Sequence, residues 1–482
     1  MKSAWAGLFL SITFAGAAGA QDLLSVYKDA LAGDPQIREA DANRRASREA
    51  RPQAWASLLP QINATGQLTR VESDSTTPTY VDAGGGELIL VPRKSTSDIT
   101  GYSLELRQNL FSWQNWMMLR RAGKEVAQAE ADYQAAQQNL VLRVAQRYFA
   151  VLSAQNLVDA QSAALEAISR QFDQANKRFE VGLIAVTDVQ EAKAARDSAA
   201  AAVIAAKRQL ATAQQLLREY TNREYPALAK PAESMPLATP APADMEKWVE
   251  LSMNQNLALI SSRLAADIAR ADVNVARGGH LPTLDFIGSR QDLDTDVDTD
   301  IGRGPIKFST DDTTDTYGLQ ITVPIFSGGR TQSVVRQTQY LWIAAKERVT
   351  RVSRETERSA RDAYLGVISE MSRVSALQQA LASSETALKA TEAGYEVGTR
   401  TAVDVLTSRQ QLVQAQTNYA DSRYDYILNV IQLRLAAGNL DEPTVAEINQ
   451  WLSEAAPTPG SAQPETPAPT PQTPTPPPPS QP

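Results

Sequence analysis

Residues 178–190 read Arg178-Phe-Glu-Val-Gly-Leu-Ile-Ala-Val-Thr-Asp-Val-Gln190, and a close copy, Glu392-Ala-Gly-Tyr-Glu-Val-Gly-Thr-Arg-Thr-Ala-Val-Asp-Val-Leu406, follows in the second half of the chain. Val181-Gly182 returns as Val397-Gly398, Asp188-Val189 as Asp404-Val405 and Tyr148 as Tyr364, each displaced by 216 residues. Phe111-Ser112 returns as Phe326-Ser327, and Leu59-Pro60 as Leu281-Pro282, at nearly the same spacing. Self-similarity at a fixed period decides architecture before any local motif does. This period is too long for a solenoid unit, so the chain reads as one fused duplication.

The turns are flanked by segments suited to little except helix. Lys124 to Val181 contains neither Gly nor Pro and is rich in Ala, Gln, Leu and Glu; Leu183 to Tyr225 is similar. The second half repeats this from Arg330 to Ala393, broken only by Gly366, and from Thr399 to Ala437. Such composition predicts helices, and at ~1.5 Å per residue the first would approach 90 Å. Small Ala stripes such as Ser198 to Ala202 permit close, coiled-coil-like packing. Two long helices meeting at a Gly form an antiparallel hairpin, and the chain has two.

Before each hairpin the period changes to two. Ile62, Ala64 and Leu68 alternate with polar residues, as do Leu104 and Leu106, Leu284 and Phe286, and Leu319, Ile321 and Val323. This predicts short strands with one apolar and one polar face. Four strands cannot close a barrel alone, so strands that enter a membrane must be completed by other copies. Ser73 to Ser97, with Gly84-Gly85-Gly86, reads as a loop. Asp292, Asp294, Asp296, Asp298 and Asp300 read as the polar face of a strand leading into a second loop. Calcium-loop spacing fails there, because Val297 and Arg303 stand where the turn Gly and bidentate Glu belong. Phe111, Trp113, Trp116 and Phe326 sit beside the strand ends, as a membrane-interface girdle or a buried cap would.

Met1-Lys2-Ser3, a short apolar run and Ala18-Gly19-Ala20 form a secretory signal over residues 1–20. The protein has no Cys, which excludes disulfides and thiolate metal sites. Its net charge of −8 argues against a nucleic-acid partner. The lone His280 lies in a helix-to-strand turn, and no phosphate-cradling loop, metal cluster or triad accompanies it, so neither enzyme nor cofactor is expected. The expected order is a first repeat over 21–222, a Pro-rich linker over 223–244, a second repeat over 245–440, and a segment over 441–482 ending in a disordered Pro-rich tail. Each repeat carries a helix, two strands and a long hairpin.

The two turn sequences, with Val323-Pro-Ile-Phe-Ser-Gly-Gly-Arg330 and Gly279-His-Leu-Pro-Thr283, resemble the TolC-type outer-membrane efflux proteins from about Gln21 to Leu440. The resemblance implies a homotrimer with a twelve-stranded outer-membrane β-barrel and a long periplasmic α-helical barrel. It also implies a Gram-negative outer membrane, a passive exit duct, a periplasmic adaptor (membrane fusion) protein, and an inner-membrane pump or ABC transporter of drugs or secreted proteins. The competing readings are a non-transporting coiled-coil envelope protein and the adaptor itself.

By position, the resemblance assigns a periplasmic gate to Thr187, Asp188, Glu392, Tyr395 and Arg400, with Gln171 and Gln174 at the same level. Arg400 has the donors to grip Asp188, and the Tyr395 hydroxyl to donate to the same carboxylate. Asp404 would form a selectivity ring; the second acidic position of the family pattern is Thr407 here, which implies weaker cation selectivity. Val181, Gly182 and Leu183, with Val397, Gly398 and Thr399, would be adaptor-docking tips. From the residues alone, Thr187-Asp-Val-Gln190 is equally a capping box with Thr187 as N-cap, and Asp188 and Asp404 suit helix starts. The two glycines also serve a tight turn.

Overall fold

The computed structural model describes residues 20–80, 88–300 and 304–453. Nearly all of the export signal, the glycine run and the Pro-rich tail lie outside the described residues. The first half holds α1 (Leu23–Gly33), α2 (Pro35–Arg48), α3 (Ala50–Ala56), β1 (Gln61–Tyr80), β2 (Leu88–Ser112), α4 (Trp113–Glu180) and α5 (Val186–Thr221). After β3 (Lys230–Pro231) come α6 (Met245–Gln255), α7 (Leu257–Gly278), β4 (Thr283–Asp300), β5 (Pro305–Thr322), α8 (Arg330–Glu396) and α9 (Ala402–Ala437). The described chain ends with α10 (Glu442–Asn449) and β6 (Leu452–Ser453). The four Gly- and Pro-poor runs are thus the four long helices. No helix among the described residues is long and apolar enough to cross a membrane.

The chain folds as two compact units, each drawing segments from both halves. One comprises Gln36–Ala136 and Glu250–Arg358. Its sheet has the order β1-β2-β4-β5, all antiparallel, with β1 and β5 at the edges. The strands are 18 to 25 residues long, not short. The described parts of Ser73 to Ser97 are paired strand rather than loop, and the Asp292–Asp300 run lies wholly within β4. Cross-strand charge pairs help to extend these polar ends: Arg70 meets Asp98 at 2.6 Å and Lys307 meets Asp298 at 2.9 Å. Such pairs depend on register and leave no trace in local composition.

Register sorts the side chains into two faces. Ile62, Leu106, Gly288 and Tyr317 form one row across the four strands. On that face β5 presents Ile321, Leu319 and Tyr317, and β1 presents Ile62, Ala64, Gly66 and Leu68. The apolar band on β1 therefore begins in the row where the band on β5 ends. Beyond the band the same face turns charged, with Arg70, Asp98 and Asp296 in one row. The opposite face is polar next to the helices, with Asn63, Glu105 and Ser289 in one row. There Asp285, only 5% exposed, accepts from Arg107 at 3.1 Å and Asn109 at 3.0 Å, beside an irregularity at Asn109/Phe111. Phe111, Trp113, Trp116 and Phe326 are all exposed.

The other unit comprises Met1–Pro35, Gln137–Val249 and Ser359–Pro482. Leu23, Leu140, Tyr148, Phe149, Trp248, Tyr426, Ile427 and Ile431 form its buried core. Tyr148 is fully buried, and its hydroxyl lies 2.7 Å from the Ala229 carbonyl and 3.1 Å from that of Gln21. Its repeat counterpart Tyr364 is only partly covered. The linker is tied down by pairing of β3 with β6.

Candidate functional site

At the first tip α4 stops at Glu180 because Gly182 adopts a φ of +78°, a conformation that disfavours any side chain. The amide of Leu183 donates to the Arg178 carbonyl at 2.9 Å and that of Gly182 to Phe179 at 2.8 Å, closing the helix end. The second tip is built likewise around Gly398 at +82°, with the Thr399 amide donating to the Gly394 carbonyl at 2.8 Å. These turns push Val181, Leu183 and Val397 out to 70%, 74% and 76% exposure.

The two tips differ where the return helices begin. Thr401 is the N-cap of α9 and forms a reciprocal capping box with Asp404. The Asp404 amide donates to the Thr401 hydroxyl at 3.2 Å, while the Thr401 amide donates to the Asp404 carboxylate at 2.9 Å. These Thr401 hydrogen bonds hold the Asp404 carboxyl below the usual carboxylate range. A depressed folded value means that the stabilisation is complete above the ordinary Asp range. It is lost as pH falls through the lower folded value.

In the first tip the residue equivalent to Thr401 is Ala185, which is the N-cap of α5 and makes no side-chain cap. Thr187 is therefore inside the helix and is not its N-cap, which corrects the capping-box reading of Thr187 to Gln190. The cap must be the extended residue before the first turn, and Ala185, at ψ 154°, is that residue. The consequence falls on Asp188. Its carboxylate is exposed and has no side-chain partner among the described residues, whereas its counterpart Asp404 is engaged by Thr401.

The remaining candidates fall into three groups. Glu392 pairs with Arg409 across the second hairpin, and Ser408 donates to Thr391 at 3.2 Å beside them, so Glu392 is committed within its own hairpin. Gln171 joins Ile168, Ala192, Ala195, Ala402 and Leu406 around a small cleft between the first hairpin and the start of α9, while Gln174 is exposed. Arg400 is exposed, with its aliphatic part against Gly394. Among the described residues of one chain, no hydrogen bond or ion pair joins Asp188 to Arg400 or Tyr395. Instead, the Arg178 guanidinium stands 5.8 Å from the Tyr395 ring centroid.

The sequence assigns no role to Arg178, Thr401 or Arg409. Thr401-x-x-Asp404 is a legible capping box. The Arg178–Tyr395 contact has no sequence signal, because it is made between hairpins.

The family model described as outer membrane efflux protein matches residues 26–223 and 248–439. The outer membrane protein TolC of Vibrio cholerae is 34% identical over 443 residues, covering 92% of this chain and 96% of that protein. The alkaline protease secretion protein AprF of Pseudomonas aeruginosa is 28% identical, covering 87% and 85%. Among solved structures, the Campylobacter jejuni CmeC outer membrane channel superposes with a TM-score of 0.67 at 18% identity, covering 89% of this chain and 90% of that one.

Proposed function

The chain belongs to the outer membrane efflux protein family, and from that premise we propose a closed trimeric duct whose periplasmic entrance is latched by the hairpin tips. The protein is an outer-membrane exit channel for efflux and type I secretion in a Gram-negative bacterium. Its relatives are channel proteins rather than enzymes. As the outer-membrane component of such systems it works with an adaptor and an inner-membrane transporter. The non-transporting and adaptor readings have no comparable support.

The slanted apolar band supports the barrel. From its centre near Leu319 on β5 to its centre on β1, the band climbs about five residues, roughly 16 Å, across three strand spacings of roughly 14 Å. That slope is about 45–50°, close to the tilt that strands need to close a barrel. The unpaired edges of β1 and β5 then pair between copies, giving twelve strands, lipid against the band, and the exposed aromatics at its border.

For the gate, the observation that carries most weight is the uncapped Asp188. With alanine at position 185, its carboxylate is available to the guanidinium of Arg400 on a neighbouring copy. Three such links, each worth ~1–3 kcal/mol, would keep the entrance shut yet openable by a docking partner. Asp404 contributes a ring of three carboxylates, and the apolar tips around Val181, Leu183 and Val397 receive the adaptor. In planar bilayers, Arg400→Ser and Asp188→Ala should each raise single-channel conductance, and the double variant should add little. Unchanged conductance in both would refute the link.

A further inference from the structure

Residues 227–230 of the linker are bordered differently on their two edges. On one edge the Gln21 amide donates to the Ala227 carbonyl, and the Ala229 amide to the Gln21 carbonyl, both at 3.0 Å. Backbone groups alternate along an extended segment, so Leu228 and Lys230 face the other edge. There β3 pairs with β6, with Lys230 opposite Ser453, and the described part of β6 stops short of Leu228. The Leu228 amide and carbonyl make no hydrogen bond among the described residues, although Leu228 is only 5% exposed. Buried backbone groups are rarely left unpaired. Beside them lies a cleft of about 350 Å³, lined by Tyr225, Pro226 and Leu228 of the linker and by Gln214, Gln215 and Leu217 of α5. The Tyr225 hydroxyl donates to the Asp29 carboxylate at 3.0 Å, which fixes the ring at the cleft.

The register of β3 with β6 identifies what fits this edge. Carried onward, it sets Ala455 opposite Leu228, Pro457 opposite Pro226 and Pro459 opposite Glu224. Ala455 brings one amide and one carbonyl to the two bare groups of Leu228. Directly opposed residues share a face of the sheet, so Pro457 comes to the cleft that Pro226 lines. Neither proline has an amide to donate, so the ladder stops at that pair. Pro457 and Pro459 open the proline-rich run to Pro482. Proline-rich segments dock on aromatic-lined grooves, and their free carbonyls accept from side-chain amides such as those of Gln214 and Gln215.

We propose that residues 455–459 of the same chain occupy this site: Ala455 completes the ladder at Leu228, and Pro457 and Pro459 fill the cleft against Tyr225. The linker is then held between Gln21 on one edge and the tail on the other. The proposal goes beyond the duct reading and does not depend on the trimer or the gate.

The protein has no Cys, so one introduced thiol reports on the cleft. Gln215→Cys is labelled with a bulky maleimide in the full chain, alone and combined with Ala455→Pro, Ala456→Pro or Pro457→Asp. Thr212→Cys, exposed one turn earlier on α5, is the control and should label at one rate throughout. Ala455→Pro removes the amide that pairs with Leu228, and Pro457→Asp puts a charge into the cleft. Each should speed labelling of Gln215→Cys on the order of tenfold, the equivalent of one lost hydrogen bond. Ala456→Pro, whose amide faces away from the ladder, should leave labelling slow. Separately, Glu224→Cys with Pro459→Cys should oxidise to a link within one chain.

If neither Ala455→Pro nor Pro457→Asp changes the rate, the tail does not fill the cleft and the proposal fails. Equal acceleration by Ala456→Pro would overturn the register. A link between chains from the double-cysteine variant would give the cleft to a neighbour's tail, and the proposal would fall.

Discussion

Arginine in place of Leu319 or Leu104 is expected to abolish outer-membrane assembly. Both side chains lie on the apolar face of the sheet and are exposed in the single chain, at 68% and 43%. A cationic side chain facing lipid near the bilayer midplane costs about 2–4 kcal/mol. Three copies would lose about 6–12 kcal/mol, comparable to the whole stability of a typical domain. The measurement is the heat-modifiable oligomer recovered from outer-membrane fractions. Asp296→Arg is the matched control: it lies on the same face but beyond the band, in the row of Arg70 and Asp98, and should assemble normally. Native yields of Leu319→Arg would show that this face does not meet lipid.

The second large effect separates two residues that the duplication made equivalent. Tyr148→Ala should cost about 3–5 kcal/mol, as is usual when a large aromatic is removed from a core. Tyr148 is fully buried, and its hydroxyl lies within hydrogen-bonding distance of carbonyls at Gln21 and Ala229, which tie the N-terminal segment and the linker to α4. Tyr364→Ala removes the same side chain from the corresponding place in α8, where it is only partly covered. About 1 kcal/mol is expected there. Thermal unfolding of the assembled protein reads both, and equal losses would mean that the repeats share one core environment.

That contrast also shows how far the sequence carries. The helices were legible because Gly- and Pro-free, Ala-rich runs leave the backbone few alternatives, and α4, α5, α8 and α9 lie where composition put them. Strand length was not legible. Residues 69–77 and 93–100 are mostly Thr, Ser and charged residues, a loop-like composition, yet they pair in register. Once a strand leaves the apolar band it no longer needs alternating hydrophobicity, and partners such as Arg70 and Asp98 become neighbours only through the fold. At the tips the order of residues is readable, but the capping-box reading starts the first-copy helix two residues late, at Thr187 instead of Ala185. An alanine cap has no side-chain signature, and a nearby Thr-x-x-Gln imitates one. Glu392 illustrates the remaining gap. Its place near the entrance was readable, but its commitment to Arg409 depends on a helix that returns only after the turn.

The bare edges of β1 and β5 have a genetic consequence. A chain carrying Leu319→Arg keeps a β1 able to pair with a healthy neighbour, so it can be recruited before its fault is felt. In the proposed ring of three, each closed seam would depend on every member. Co-expressed with the native chain in equal amounts and mixed at random, the variant should leave only about one ring in eight wholly native. Damage to one edge would then behave as a dominant trait, and the mutant allele would sensitise cells that still make ample normal protein.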